Sequence, residues 1–151
     1  IGISGAVDFI SEVRFRFDYA RAVPWVRQVG QGHEHAILAV AGPDAVILRG
    51  PRLIAVDTAH RALWTTVAGE SVDSVLSWGP SWQTAPAPID VDATLKRTIE
   101  WWAAWARRVH AAGEHADLVT RSLLVLRALT HAETSGIVAA ATTSLPESFG
   151  G

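Results

Sequence analysis

The sequence lacks cysteine entirely, has a single lysine, and contains no long hydrophobic run. Without cysteine the chain has no disulfide, no thiolate metal ligand and no cysteine nucleophile, which is typical of a reducing compartment, so we expect a cytoplasmic location. No apolar run approaches the roughly 18 residues that a membrane-spanning helix needs. The opening segment, Ile1 to Val7, has no basic stretch followed by an apolar core, so no signal peptide is predicted.

A strong excess of one charge is also missing. The 151 residues carry 13 basic and 15 acidic side chains, for a formal net charge of -2, and neither half of the chain is markedly basic. A nucleic acid or an anionic membrane would gain little electrostatic attraction, so neither is expected as a partner. Hydrophobic residues make up 49% of the chain, which is ample for a packed core.

The usual catalytic and cofactor motifs are absent. His33-Glu34-His35 is the densest group of metal-capable side chains, but it lacks helical i, i+4 spacing and an identifiable third ligand, so it predicts a solvated turn. Gly2-Ile3-Ser4-Gly5 has neither the preceding strand nor the following helix of a nucleophile elbow. No glycine-rich phosphate loop occurs. We therefore expect no metal, no cofactor and no catalytic residue in this sequence.

The glutamates do not form an evident acid and base pair. Glycoside hydrolysis needs two carboxyl groups on opposite walls of a pocket. Glu100 and Glu114 are predicted on or beside a solvated helix face, and Glu133 has no apparent partner. Glu147, in a Pro-Glu-Ser loop, is the one glutamate predicted at a pocket rim, where a structural role is favoured.

Residues up to about position 80 have the pattern of short β-strands between turns. The clearest strand pattern alternates apolar with charged residues, and its apolar members are Val13, Phe15, Phe17 and Tyr19. Ala36 to Ala41 and Val46 to Leu48 flank Gly42-Pro43-Asp44 and predict a hairpin. Further strands are predicted at Leu53 to Val56, Ala62 to Val67 and Val72 to Trp78. Spacing of about ten residues is typical of an antiparallel β-sandwich.

From Gly79 onward the pattern changes from strands to helices. Gly79 to Asp90 is rich in proline and small residues, which predicts an extended connector. Asp90 or Asp92 is the predicted N-cap of a first helix, and Gly113 is its predicted C-terminal stop. The apolar stripe of this helix recurs at Leu95, Ile99, Trp102, Ala106 and Val109.

A second helix is predicted from about Ala116 to Thr130. Apolar residues leave it almost no polar face, the main ones being Leu118, Val119, Leu123, Leu124, Val125, Leu126, Ala128 and Leu129. A helix that is apolar nearly all round must be buried on several sides, and one other helix cannot surround it. The sequence therefore predicts that its partner helices lie outside these 151 residues.

The tryptophans have a sugar-stacking and a packing interpretation. Trp101, Trp102 and Trp105 offer aromatic faces that suit pyranose rings. Packing is favoured, because Trp102 lies on the apolar stripe and Trp101 with Trp105 forms an i, i+4 pair. Trp78 and Trp82 are predicted to anchor the end of the strand region.

Three segments of the sequence carry a family resemblance. The first is Arg16 to Trp25, with the sequence Arg-Phe-Asp-Tyr-Ala-Arg-Ala-Val-Pro-Trp, and the second is Glu100 to Trp105. The third is Ser122 to Thr130 followed by Gly136 to Glu147. In this order they resemble the N-terminal sandwich, the interdomain helix and the start of the catalytic domain of bacterial glycoside hydrolase family 15, the glucoamylase and trehalase family.

The resemblance implies an α+β chain that is an internal fragment of a longer enzyme. Residues 1–82 would form part of an antiparallel β-sandwich, 83–113 a linker and interdomain helix, and 114–151 the start of an (α/α)6 barrel. It also implies inverting, exo-acting hydrolysis of an α-glucoside, either trehalose or a maltooligosaccharide, with trehalose favoured. The family's two catalytic glutamates would come later in the chain. The residues implied near the substrate, in supporting roles, are Thr142, Thr143, Ser144, Pro146 and Glu147.

Two interpretations from other classes stay open. The chain is alternatively a non-catalytic β-sandwich module that binds carbohydrate through aromatics such as Trp25, Trp64 or Trp82. A further alternative is a structural interaction module that binds no sugar and packs a barrel onto its oligomer, so homo-oligomer formation also stays open.

Overall fold

The chain forms two compact units, one ending at Thr94 and the other beginning at Leu95. A computed structural model describes residues 5–30, 34–139 and 141. β-Strands fill the first unit, and two helices dominate the second. The predicted α+β class is therefore confirmed, whereas the start of an (α/α)6 barrel stays a prediction.

The strands of the first unit form two antiparallel sheets. They are β1 (Ala6–Val13), β2 (Trp25–Val29), β3 (Ala36–Ala41), β4 (Asp44–Arg49), β5 (Ile54–Val56), β6 (Ala59–Val67) and β7 (Val75–Pro80). One sheet has the strand order β1-β6-β5, and the other has the order β2-β3-β4-β7. This arrangement fits the predicted partial β-sandwich.

A small apolar core joins the two sheets. Ile37 and Leu48 come from the four-stranded sheet, Ala62 comes from the three-stranded sheet, and Leu53 precedes β5. Half-buried side chains pack around this cluster, and they are Val13, Phe15, Val26 and Trp64. Burial of apolar surface is the main stabilising contribution to folding, so this cluster holds the two sheets together.

The predicted hairpin is confirmed in detail. Ala41 pairs with Asp44, which leaves Gly42-Pro43 as a two-residue loop between β3 and β4. Gly42 has a φ of 56°. A II′ hairpin turn requires a positive φ at its first central residue, and glycine adopts it without steric cost. The three later predicted strands also form, as β5, β6 and β7, with ends shifted by a few residues.

The predicted strand over Val13 to Tyr19 is wrong in its location. β1 ends at Val13, and Phe17 makes only an isolated bridge before a short helical turn at Asp18–Ala20. The alternation in burial is present, because Val13, Phe15 and Phe17 are half-buried and the arginines between them are exposed. The segment remains unpaired because the pairing partner of β1 is β6, which reaches only as far as Val13.

The connector after β7 is extended, as predicted, and is fixed to the four-stranded sheet. At its start the Ser81 backbone N–H donates to the Pro43 carbonyl at 2.8 Å. Further along, Arg49 Nη2 donates to the Pro86 carbonyl at 2.6 Å. Contacts at two points therefore hold the segment against the sheet instead of leaving it to span freely.

Two helices follow, α1 (Val91–Ala106) and α2 (Ala116–Ala128). Asp90 Oδ1 accepts a hydrogen bond from the Ala93 backbone N–H at 2.9 Å, which makes Asp90 the N-cap, as predicted. The predicted stop at Gly113 is wrong, because α1 ends at Ala106. Gly113 instead opens the turn into α2, where its carbonyl accepts from the Ala116 N–H at 3.2 Å.

Neither helix contains a buried residue among those described. In α2 the exposed fraction is 63% for Leu118 and 54% for Val125. The prediction that α2 needs further packing partners stays a prediction, and this exposure is in its favour. Within the described part of the chain, neither helix combines the length and the apolarity of a membrane-crossing segment.

Candidate functional site

The residues predicted near a substrate lie outside the described residues. This applies to the whole set of Thr142, Thr143, Ser144, Pro146 and Glu147, and also to His33 and to the Gly2 to Ser4 part of the proposed turn. The structure does describe the segment that leads into the first set, which is the turn that follows α2.

That turn reverses the chain at the end of α2. Thr130 and Ile137 form an antiparallel bridge. The Val138 backbone N–H donates to the Leu129 carbonyl at 3.0 Å, and the His131 N–H donates to the Gly136 carbonyl at 2.8 Å. The chain therefore leaves α2, turns back within a few residues, and heads in a defined direction toward position 139.

Side chains within the turn hold its shape. The Nδ1 atom of His131 accepts from the Thr134 backbone N–H at 3.3 Å. The Thr134 hydroxyl oxygen accepts from the Gly136 N–H at 3.3 Å. Ser135 has a φ of 59°, a left-handed conformation that the Ser135 N–H bond to the His131 carbonyl stabilises. Side-chain and backbone hydrogen bonds therefore both constrain the turn.

Metal-capable groups do not converge in the described ranges. No group of three or more His, Asp or Glu residues within them is arranged to hold a metal ion. In the predicted solvated turn, Glu34 is exposed and forms an ion pair with Arg49, with Nε and Oε1 3.1 Å apart. Glu34 therefore has a structural partner at the edge of the four-stranded sheet.

The three described glutamates of the second unit are exposed and lie on separate segments. Glu100 is on α1, Glu114 precedes α2, and Glu133 is in the turn after α2. None of them takes part in an ion pair identified among the described residues. The structure does not bring two of these carboxyl groups into one pocket, so it offers no acid and base pair here.

The tryptophans of α1 form a cluster with α2. The rings of Trp101 and Trp102 meet edge to face, with centroids 4.8 Å apart and an interplanar angle of 88°. The guanidinium carbon of Arg127, from α2, lies 5.5 Å from the centroid of the Trp101 ring. These are packing and cation–π contacts within the second unit, and core or interdomain packing of the three tryptophans stays a prediction. Trp105 lines a shallow depression beside Trp101 and Arg127.

The tryptophans of the sandwich differ in their availability. Trp64 packs against the core and stacks on Phe9, with ring centroids 6.0 Å apart, so it is part of the framework. Trp78 donates from Nε1 to Asp44 Oδ1 at 2.8 Å and ties β7 to β4, in line with the predicted anchoring role. Trp25 and Trp82 are 86% and 73% exposed. These last two have faces open to a ligand.

Two antiparallel sheets followed by two helices define a mixed α+β chain, and comparison with known proteins relates it to trehalases. It is 42% identical over 57 residues to a trehalase of Thermoplasma volcanium, covering 38% of this chain and 9% of the relative. A trehalase of Thermoplasma acidophilum is 40% identical over 57 residues, covering 38% and 10%. A trehalase of Mycolicibacterium smegmatis is 29% identical over 157 aligned residues, covering 96% and 22%.

These similarities have a limited extent. The chain spans between 9% and 22% of the length of the curated relatives it matches. No family model and no solved structure matches the chain. The similarity therefore relates a segment of a trehalase to this chain, and the activity of the whole protein is a matter for proposal.

Proposed function

We propose that the chain is part of an inverting, exo-acting α-glucoside hydrolase of glycoside hydrolase family 15, with trehalose as its substrate. The observation that carries this proposal is the similarity to three trehalases, one of which aligns with 96% of the chain. The order of the elements supports it, because sheets precede helices as in the sandwich and barrel of that family. A maltooligosaccharide is the alternative substrate.

The reaction assigns defined tasks to two carboxyl groups supplied by the rest of the enzyme. One carboxylic acid protonates the glycosidic oxygen as the bond from it to the anomeric carbon breaks. One carboxylate removes a proton from the water that attacks the opposite face of that carbon. Inversion of α,α-trehalose then releases one β-glucose, from the attacked ring, and one α-glucose, from the leaving ring.

The described residues would supply framework to this enzyme. Residues 1–82 would form part of the sandwich, 83–113 the linker and interdomain helix, and 114–151 the barrel start, with α2 as a barrel helix. The exposed apolar residues of α2 are consistent with packing against further barrel helices. The constrained turn after α2 would aim Thr142 to Glu147 toward the glucose pocket, in a supporting role. A cytoplasmic location belongs to the same proposal.

Trehalose hydrolysis followed by proton NMR tests the proposal. The product of the open reading frame that contains this chain should release glucose from trehalose, with α and β anomers appearing in equal initial amounts. The 151-residue chain alone is the matched control and should release none. Absence of glucose release by the whole product from both trehalose and maltotriose would refute the proposal. Initial release of α-glucose alone would refute inversion.

A further inference from the structure

A groove lies on the outer face of the four-stranded sheet, opposite Ile37 and Leu48; Ile47 on this face is itself buried, and the more exposed part of the floor comes from Leu38, Val40 and Ala45. Strand register places Val40, Ala45 and Gly79 in one row across β3, β4 and β7, and Leu38 and Ile47 in a row two positions along. Residues directly paired across strands, and residues two apart on one strand, share a face. The core residues Ile37 and Leu48 lie one position along the strands and therefore on the opposite face of the sheet. These outer-face residues line a cavity of about 310 Å3.

The connector after β7 forms the wall of this groove. Residues 81 and 83–86 line the cavity opposite the sheet. The wall is fixed at both ends: Ser81 Oγ donates to the Gly42 carbonyl at 2.7 Å, and Arg49 binds the Pro86 carbonyl. The groove is therefore built into the fold, and a ligand would pay little conformational entropy to form it.

One exposed tryptophan, Trp25, borders the groove by strand register, and a second, Trp82, lies on the connector. Trp25 pairs with Val40, so it lies on the outer face one strand beyond the lining residues, on edge strand β2. Arg27, two residues along on the same face, itself lines the cavity. On the connector side, Trp82 lies in sequence between the lining residues Ser81 and Gln83. Trp25 and Trp82 are 86% and 73% exposed, and neither is among the residues that line the cavity itself.

The lining selects for a neutral, hydroxyl-rich molecule. Arg27 is the single charged residue among those that line the cavity, and no carboxylate lines it. The hydroxyl of Thr84 and the amide of Gln83 both donate and accept hydrogen bonds, as a sugar hydroxyl requires. The aliphatic floor and an indole ring suit the C–H face of a pyranose. The cavity volume is at the lower end of the range for small-molecule sites, which is roughly 300–1,000 Å3, and it is enough for one or two sugar rings.

The geometry points to a sugar-binding site in this groove, separate from any catalytic pocket, that takes short neutral α-glucosides. Trp25 supplies the stacking surface, and Arg27, Gln83 and Thr84 supply the hydrogen bonds. The choice of α-glucosides as ligand rests on the proposed function, whereas the site itself rests on the sheet face and the connector. Nothing in this groove catalyses a reaction.

Calorimetric titration of the whole gene product that contains this chain, with its catalytic pocket saturated by a competitive inhibitor, tests the site with trehalose and with maltotriose. We expect saturable binding of at least one of them. Trp25→Ala should weaken it about threefold to tenfold, because Trp25 would stack on the sugar from the border of the groove. The isosteric Thr84→Val should weaken it about threefold to tenfold, the effect of one hydrogen bond. Trp78→Ala is the matched control, because Trp78 is 63% exposed but lies on the opposite face of the same sheet, and it should leave binding within about twofold.

Three outcomes would overturn the inference. They are the absence of binding of both sugars into the millimolar range, an equal loss in Trp78→Ala and Trp25→Ala, and unchanged binding in both Trp25→Ala and Thr84→Val. Failure here is distinguishable from failure of the proposed function, because one experiment measures binding outside the catalytic pocket and the other measures hydrolysis.

Discussion

Replacement of Ile37 by alanine tests whether one core holds the two sheets together. Ile37 is 2% exposed and contacts the cluster that both sheets build. The change removes three carbon atoms, worth about 0.8 kcal/mol each by transfer, or about 2.4 kcal/mol together. A residual cavity adds to this, so we expect a loss of about 3 kcal/mol, within the range known for buried isoleucine. Such a loss is a large share of the stability of a small domain.

Amide hydrogen exchange in β3 and β4 measures this loss locally. A destabilisation of about 3 kcal/mol should accelerate exchange there by about 150-fold, since each 1.4 kcal/mol is tenfold. Ile10→Ala removes the same atoms from a side chain that is 75% exposed on β1, and it should cost less than about 1 kcal/mol. A shared core would be refuted if Ile37→Ala lowered the free energy of unfolding by less than about 1 kcal/mol, or if the two variants lowered it equally.

Three further predictions concern the backbone, a helix cap and the contact between the two helices. Gly69→Ala should lower the free energy of unfolding, measured with urea, by about 1 kcal/mol. The loss comes from the φ of 87° alone, because no atom lies within 4 Å of the new Cβ. Gly30→Ala should cost clearly more, because its Cβ would meet the Glu34 carbonyl oxygen, and equal costs would contradict this. Asp90→Ala should lower helix stability by about 1 kcal/mol, seen as lost ellipticity, while Asp90→Asn should retain most of it. Arg127→Leu should lower the free energy of unfolding by about 0.5–1 kcal/mol. It should also shift the indole N–H resonance of Trp101, and an unchanged resonance would contradict the contact.

The elements that sequence could predict have their cause within a few residues. The β3–β4 hairpin follows from Gly42 and Pro43, whose backbone preferences match a two-residue turn. The start of α1 follows from Asp90, whose carboxylate caps a neighbouring N–H group. Neither feature depends on distant parts of the chain, so each could be predicted without a tertiary structure.

One error lies where a distant segment decides the outcome. The alternation that begins at Val13 predicts an extended chain, but pairing requires a neighbour, and β6 ends its contact with β1 at Val13. Local pattern gives the face of each residue but not the length of the partner strand. The end of α1 is a separate error, because Gly113 is a suitable stop and the helix already ends at Ala106, where the bonds that follow it are local.

The groove could not be predicted from sequence, because distant segments build it. Strand β2, which carries Trp25 and Arg27 on one face, has no counterpart among the predicted strands. The proximity of Arg27 to Gln83 and Thr84 depends on the order β2-β3-β4-β7, in which β7 crosses back to pair with β4. The predicted supporting residues from Thr142 to Glu147 lie outside the described ranges, so that part of the candidate site stays a prediction.

The connector after β7 joins the groove to the start of α1. Its lining residues Gln83 and Thr84 form the wall of the groove, and a few residues later Asp90 caps α1. The segment gains its order from contacts with Pro43 and Arg49 rather than from any ladder of its own. A sugar bound between the sheet and this wall would add further contacts to the same segment. Binding of a sugar in the proposed site would therefore add order to the chain that enters α1.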